Sequence, residues 1–250
     1  MKYIWVLRLA VIAAAIGALE VMCRFGVIDT FTMPPPSKIA ADLWRILVTG
    51  RYNTAIAKTL GNAAIALALS LGVGIVTALL IYRIKLARET LEPLFATYYA
   101  VPVLAFYPLL IILFGVGDVP KILIAFMLSV IAVIVNTLNG LDRVPRVLLK
   151  TARAVRMSPI ETALSVTLPN AAPHVLTGVK FAVAYSLIGI IGSEFIMSSD
   201  GMGFEIAFSY NNFDNATMYP MIALILIISV TLNLLISKWE QIILVRRGLR

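Results

Sequence analysis

Six long apolar runs decide what this chain can fold into. They cover residues 3–22, 59–82, 94–116, 122–140, 175–197 and 218–237. A helix needs about 20 mainly apolar residues to cross the hydrocarbon layer of a bilayer. Inside that layer every backbone N–H and C=O must be satisfied within the protein, which leaves only helices or closed barrels. The runs are continuous rather than alternating, and far longer than the roughly ten residues of a barrel strand, so helices are expected. The bulk composition agrees: 60% of residues are hydrophobic and 14% charged, against about 45–50% and about 25% in soluble domains. The expected fold is an all-α membrane protein, one domain over residues 1–250, with six transmembrane helices and a helical loop on the cytoplasmic side. The first run contains Arg8 and Glu20, and no small-residue cleavage site follows it, so it reads as a span rather than a signal peptide.

The net charge of +8 is spread over an apolar chain. It sets orientation rather than marking a nucleic-acid surface, because Lys and Arg accumulate in cytoplasmic loops. The loop after the second run carries Arg83, Lys85 and Arg88, and the loop after the fourth carries Arg143, Arg146, Lys150, Arg153 and Arg156. The tail carries Lys238, Arg246, Arg247 and Arg250, whereas residues 198–217 hold Asp200, Glu205 and Asp214 and no cation. Both termini are therefore expected in the cytoplasm. One loop dissents: Arg24, Lys38, Arg45, Arg51 and Lys58 follow the first run, on the side expected to be outside. That loop also holds Pro34-Pro35-Pro36, a stiff extended piece. Ser37 is placed to cap a helix from Lys38 to about Thr49, ended by Gly50. Ile39, Leu43, Ile46 and Leu47 share one face of it, for the outer membrane surface or for packing against the spans.

Residues 143–169 form a polar segment too structured to be a simple connector. Pro145 fits a first helical turn, with Val147, Leu148, Ala152 and Val155 forming an apolar stripe. Then Ser158, Pro159 and Glu161 fit the N-cap, first and third positions of a new helix, a capping box. That second helix should run to about Leu168 and stop before Pro169. The turn Arg156–Pro159 becomes the tip of a helical knob. The same pattern also fits an interfacial helix pair whose basic side chains snorkel among lipid headgroups.

The segment resembles the cytoplasmic signature loop of ABC-importer permeases, whose pattern is E-A-A, three residues, Gly, nine residues, I-x-L-P. Val166-Thr167-Leu168-Pro169 matches the ending, and Ala152-Arg153 and Ser158 match within. Lys150 stands where Glu is usual and Arg156 where Gly is usual. Residues 102–109 (PVLAFYPL), 114–117 (FGVG), Gly192-Ser193-Glu194 and Asp200-Gly201-Met202-Gly203 extend the resemblance to the taurine, alkanesulfonate and nitrate group. The resemblance implies a multi-pass bacterial inner-membrane permease acting as a homodimer. It implies two ATP-binding cassette subunits docked on Ala152, Arg153, Arg156, Met157, Ser158, Pro159, Glu161, Leu168 and Pro169, and an external solute-binding protein. ATP and Mg²⁺ would then belong to the partner ATPase, with no cofactor on this chain; no phosphate loop G-x-x-x-x-G-K-[ST] occurs in it.

Polar residues within the spans are costly and are candidates for the solute path. They are Tyr98, Tyr99, Tyr107, Asn136, Asn139, Tyr185, Ser186, Ser193 and Glu194. Each also has a structural reading. Tyrosine anchors at interfaces, serine bonds its own helix, and Glu194, near the end of the fifth run, fits a bond to backbone in the following loop. Gly72 and Gly74, with Ala63, Ala64, Ala66 and Ala68, allow close helix approach, and Pro102 and Pro108 should kink the third span. A stand-alone secondary transporter or channel is the rival reading, but no repeat relates the two halves. One histidine, His174, and one cysteine, Cys23, leave little for metal binding or intramembrane catalysis.

Overall fold

The computed structural model describes residues 2–246, and no strand occurs among them. In chain order the helices are α1 (Lys2–Arg24), α2 (Pro36–Thr49), α3 (Asn53–Arg83), α4 (Lys85–Tyr98), a 3-10 turn (Val103–Phe106) and α5 (Tyr107–Phe114). Then come α6 (Asp118–Asp142), α7 (Arg146–Ala154), α8 (Pro159–Thr162), a π turn (Ala163–Thr167), α9 (Leu168–Met197), α10 (Met202–Asn211) and α11 (Asn215–Arg246). Among the described residues five helices are long and apolar enough to cross a membrane, and α4 with α5 makes a sixth span only as a bent pair. Of the basic tail, Arg247 and Arg250 lie outside the described residues.

The third apolar run is not one helix. α4 and the segment Val103–Phe114 meet at 88°. Pro102 supplies no N–H and pushes Val101 off helical geometry, and the Val103 N–H folds back to the Val101 carbonyl at 2.8 Å. Pro108 causes no kink, contrary to expectation. It sits in the first turn of α5, where a missing N–H leaves nothing unsatisfied.

A second correction concerns Pro169, which does not stop the helix begun at Pro159. The chain widens into the π turn, where the Leu168 N–H reaches back five residues to Ala163. The Thr167 hydroxyl donates to the Thr162 and Ala163 carbonyls at 3.1 and 3.2 Å. The extra residue makes room for the proline ring and the threonine supplies a donor for freed carbonyls. The run 159–196 is therefore a single span of 38 residues.

The centre of the bundle is the crossing of α6 with α9, the most extensive helix contact, flanked by α3. Small residues allow it: a Cβ on Gly189 would lie 2.5 Å from Ala125 Cα, and one on Gly140 2.9 Å from the Ala171 carbonyl. On α3, Gly74 meets Val133 closely while Gly72 faces open space, so only one of that pair serves an approach. Ala63 and Ala66 are buried, and Ala64 and Ala68 exposed. The Ser70 and Ser129 hydroxyls, 2.5 Å apart, join α3 to α6.

α2 begins two residues earlier than the sequence suggests. Pro35 is its N-cap and Pro36 its first residue. Ser37 is not a cap; its N–H and hydroxyl donate to the Glu20 carboxylate at 2.9 and 2.7 Å, which also accepts from Arg24 at 2.7 Å. A carboxylate at the end of α1 outcompetes the helix end for that serine. Gly50, at φ +64, ends α2 as expected. Leu43 and Ile46 pack with Tyr52, Met202, Ile206 and Met221, so this face serves α10 and α11, while Leu47 stays exposed. By contrast α1 is only 6% buried across its span.

Candidate functional site

The predicted knob forms, and its turn has a defined geometry. α7 closes with the Met157 N–H bonded to the Ala152 carbonyl at 2.9 Å and the Arg156 N–H to Arg153 at 3.0 Å. That is a Schellman ending, whose penultimate residue must be left-handed. Arg156 occupies it with φ +57. The position where the resembling family carries glycine thus keeps the glycine conformation with an arginine in it, at a cost of about 1–2 kcal/mol.

The next helix starts immediately. The Glu161 N–H donates to Ser158 Oγ at 3.2 Å and the Ser158 N–H to Glu161 Oε2 at 2.6 Å, the expected capping box. Thr162 adds a hydroxyl bond to the Ser158 carbonyl at 2.9 Å. Two caps back to back leave no slack between α7 and α8. Ala152 is buried, Met157, Leu168 and Pro169 are half-buried, and Arg153, Arg156, Ser158, Pro159 and Glu161 are exposed. The tip therefore presents cations and a short rigid corner.

Near the far end of the same 159–196 run lies Glu194, which is fully buried. Its carboxylate accepts from Thr59 Oγ1 at 3.0 and 2.8 Å and from the Gly203 N–H at 3.0 Å. Thr59 Oγ1 in turn accepts from the Met202 N–H at 2.8 Å. Glu194 thus serves the start of α10, the backbone role the sequence allows for it. Gly201 (φ +97) and Gly203 are required here: a Cβ on Gly201 would strike the Glu194 carboxylate, and one on Gly203 would lie 2.7 Å from Glu194 Cβ.

Around this carboxylate lies a charge cluster of which only Lys58 and Asp200 entered the sequence reading, and those for topology alone. Lys121, 1% exposed, donates to Asp200 at 2.6 Å and to Ser198 at 3.3 Å, and pairs with Asp118 at 3.0 Å. Lys58 pairs with Asp200 at 2.5 Å and Asp118 at 3.5 Å, and Asn62 donates to Asp118 at 2.9 Å. The cluster ties the starts of α3 and α6 to the loop after α9. Burial raises the Asp200 pKa, but hydrogen bonds and charge from Lys121 and Lys58 outweigh it and hold the carboxyl below its ordinary value. The available signal was the spacing of Asp118 and Lys121, one turn apart on the same face and opposite in sign.

Basic side chains of the loop after α1 have partners at this end. Arg24 pairs with Glu20, Arg45 with Asp42 and Lys58 with two aspartates, and Arg51 lies 5.2 Å from the Tyr52 ring centroid. Most of the loop's positive charge is locally paired.

The path candidates separate into two groups. Tyr98 donates to the Met127 carbonyl at 3.0 Å, Asn136 to its own helix at Ala132 at 2.8 Å, and Ser193 to Ile190 at 2.9 Å. Tyr107 is packed in the core, and Ser186 is buried with its hydroxyl unbonded among the described residues. Tyr99 and Asn139 are exposed. Tyr99 lies at the break of the third span, 6.5 Å from the Tyr185 ring, which stacks at 6.3 Å on Phe181. Asn136 is half-buried and bonded to its own helix, whereas Asn139, three residues on, is exposed.

Residues 70–247 match the family described as binding-protein-dependent transport system inner membrane component. The chain belongs to that family. It is the transmembrane permease subunit of an ABC importer, a multi-pass membrane protein. It is 26% identical to the taurine transport system permease protein TauC of Escherichia coli K12, over 94% of this chain and 89% of that one. It is also 26% identical to the nitrate import permease protein NrtB of Leptolyngbya laminosa, over 81% and 76%. Its fold superposes on a chain of the MetNI methionine ABC transporter in an inward-facing conformation with TM-score 0.67 at 16% identity, over 78% of this chain and 97% of that one.

Proposed function

We propose that this permease works as a homodimer, with one ATP-binding cassette subunit gripping the 156–160 corner of each copy and an external binding protein delivering solute to the opposite side. Both termini and the corner face the cytoplasm. ATP and Mg²⁺ belong to the ATPase, and this chain contributes movement rather than chemistry.

The observation that carries the reading is the continuity of the 38-residue run 159–196. At about 1.5 Å per residue it is a rod of roughly 57 Å. One end is fixed to the capped corner, the other to Glu194 and the α10 start. A push at Ser158 travels along this run, through the π turn at 163–167 and past Pro173, to the charged clamp of Lys121, Asp118, Asp200 and Lys58. Closure and opening of that clamp on alternate strokes give alternating access. Tyr99, at the broken span and facing Tyr185, is left free for solute along with Asn139 and the Ser186 hydroxyl, unbonded among the described residues; Glu194, Ser193, Tyr98 and Asn136 support the walls.

Two experiments test it. The permease is reconstituted with its ATPase in proteoliposomes and residues 155–160 are deleted. Loss of ATPase association and uptake is expected, and unchanged ATP turnover with unchanged uptake would sink the reading. Orientation is checked with Ser158→Cys, since the single native cysteine, Cys23, is buried. A membrane-impermeant maleimide should label it only after permeabilisation.

A further inference from the structure

A groove of about 670 Å³ opens between the end of α3 and the segment that joins the corner to α9. Apolar, exposed side chains line it: Val76 and Leu80 from α3, Ile160 and Leu164 from the facing strip, each more than half exposed. Two cations, Arg83 and Arg153, line it as well. Among the described residues neither guanidinium enters an ion pair; neighbouring Arg88, by contrast, is taken up by Asp142 at 2.7 Å.

Depth decides what fits. α3 spans the membrane and ends at Arg83, so that side chain reaches headgroup level. Leu80 and Val76 lie one and two turns further in, about 5 and 10 Å deeper at the helical rise, within acyl-chain depth. A site that is cationic at headgroup level and apolar below it has the charge and polarity order of one anionic phospholipid. A zwitterionic lipid brings its own cation to the same arginines and gains less. Basic pockets beside spanning helices hold anionic headgroups by this means.

We infer that the groove between α3 and the 153–167 segment holds an anionic phospholipid, its phosphate against Arg83 and Arg153 and one acyl chain along Val76, Leu80 and Leu164. The lipid lies behind the corner, wedged between it and the bundle. It fills a gap that the corner otherwise has to span, and so stiffens the corner against the membrane. The inference rests only on α3 crossing a bilayer and not on the ATPase reading.

The full-length permease is placed in nanodiscs with a photoactivatable phosphatidylglycerol or phosphatidylcholine carrying the reactive group on one chain. Peptides containing 76–80 and 160–164 should take up the phosphatidylglycerol label preferentially. Arg83→Gln should lower that labelling about fivefold and Arg83→Lys should preserve it, as expected when one cation contributes about 1 kcal/mol. Arg88→Gln, whose partner is Asp142, should leave it unchanged; it reports on folding. Equal labelling by the two lipids, or no effect of Arg83→Gln in a folded protein, overturns the proposal. So does cross-linking of 76–80 to a second copy in place of lipid, which would assign the groove to the dimer.

Discussion

The ammonium of Lys121 lies 2.6 Å from the Asp200 carboxylate, 79 residues away along the chain, with the lysine almost wholly buried. This pair closes the end of the bundle opposite the capped corner, and it differs in kind from the Lys58 pair beside it, whose side chain is 37% exposed. Breaking a fully buried pair at one end costs about 3–5 kcal/mol, whereas an exposed pair contributes roughly 0–1 kcal/mol. Lys121 is buried, but Asp200 is 37% exposed and keeps Lys58 when Lys121 is lost, so Lys121→Ala should destabilise by about 1–2 kcal/mol and Lys58→Ala by less than about 1 kcal/mol. Thermal unfolding of the purified protein in one detergent measures both; equal losses would show that burial of the lysine adds nothing to the pair.

Arg156 should be improvable. Its φ of +57 is a conformation glycine adopts freely and an L side chain does not. Arg156→Gly should raise stability, or at least leave it unchanged, through relief of about 1 kcal/mol of strain partly offset by unfolded-chain entropy. Arg156→Val should lower it by more than that. Hydrogen exchange of the Met157 amide, bonded to Ala152, reads the turn directly. If the cation itself is what the ATPase recognises, Arg156→Gly loses coupling while gaining stability.

The capping box predicts a non-additive pair. Ser158→Ala and Glu161→Ala should each cost about 1 kcal/mol, and the double variant less than their sum, because each residue satisfies the other's backbone. Faster exchange confined to residues 158–162, with the α6–α9 core unaffected, is the expected pattern.

Two carboxyls near the clamp should give opposite pH dependences. Asp200 is held below its ordinary value. Its contribution is fully present above the unfolded-state value and disappears as pH falls through the folded one. Glu205 is pushed upward, by burial first and with Arg51 opposing. It binds its proton more tightly when folded, so stability declines as pH rises from its ordinary value through the raised one. Glu205→Gln should therefore raise the Tm at neutral pH and flatten that decline. Asp200→Asn should remove the acid-side loss and lower the Tm at neutral pH. Unfolding profiles against pH decide both signs.

Much of this molecule was legible in the order of residues alone. The apolar runs fixed a helical membrane protein, because lipid leaves the backbone no other partner. Ser158 and Glu161 announced a helix start three residues apart, and Gly50 a helix end, because caps are satisfied by neighbours in sequence. Ser37 shows the limit of that logic: its capping potential was local, but Glu20, seventeen residues upstream, took its hydroxyl.

What only the tertiary structure decided depends on which atoms meet across long separations. Pro169 reads as a stop until Thr167 and a widened turn supply the missing bonds. Lys121 and Asp200 lie 79 residues apart until folding of α6 against α9 buries the lysine beside the aspartate. Local hydrogen bonding is written into short stretches of chain, whereas burial and charge pairing exist only once distant helices have packed.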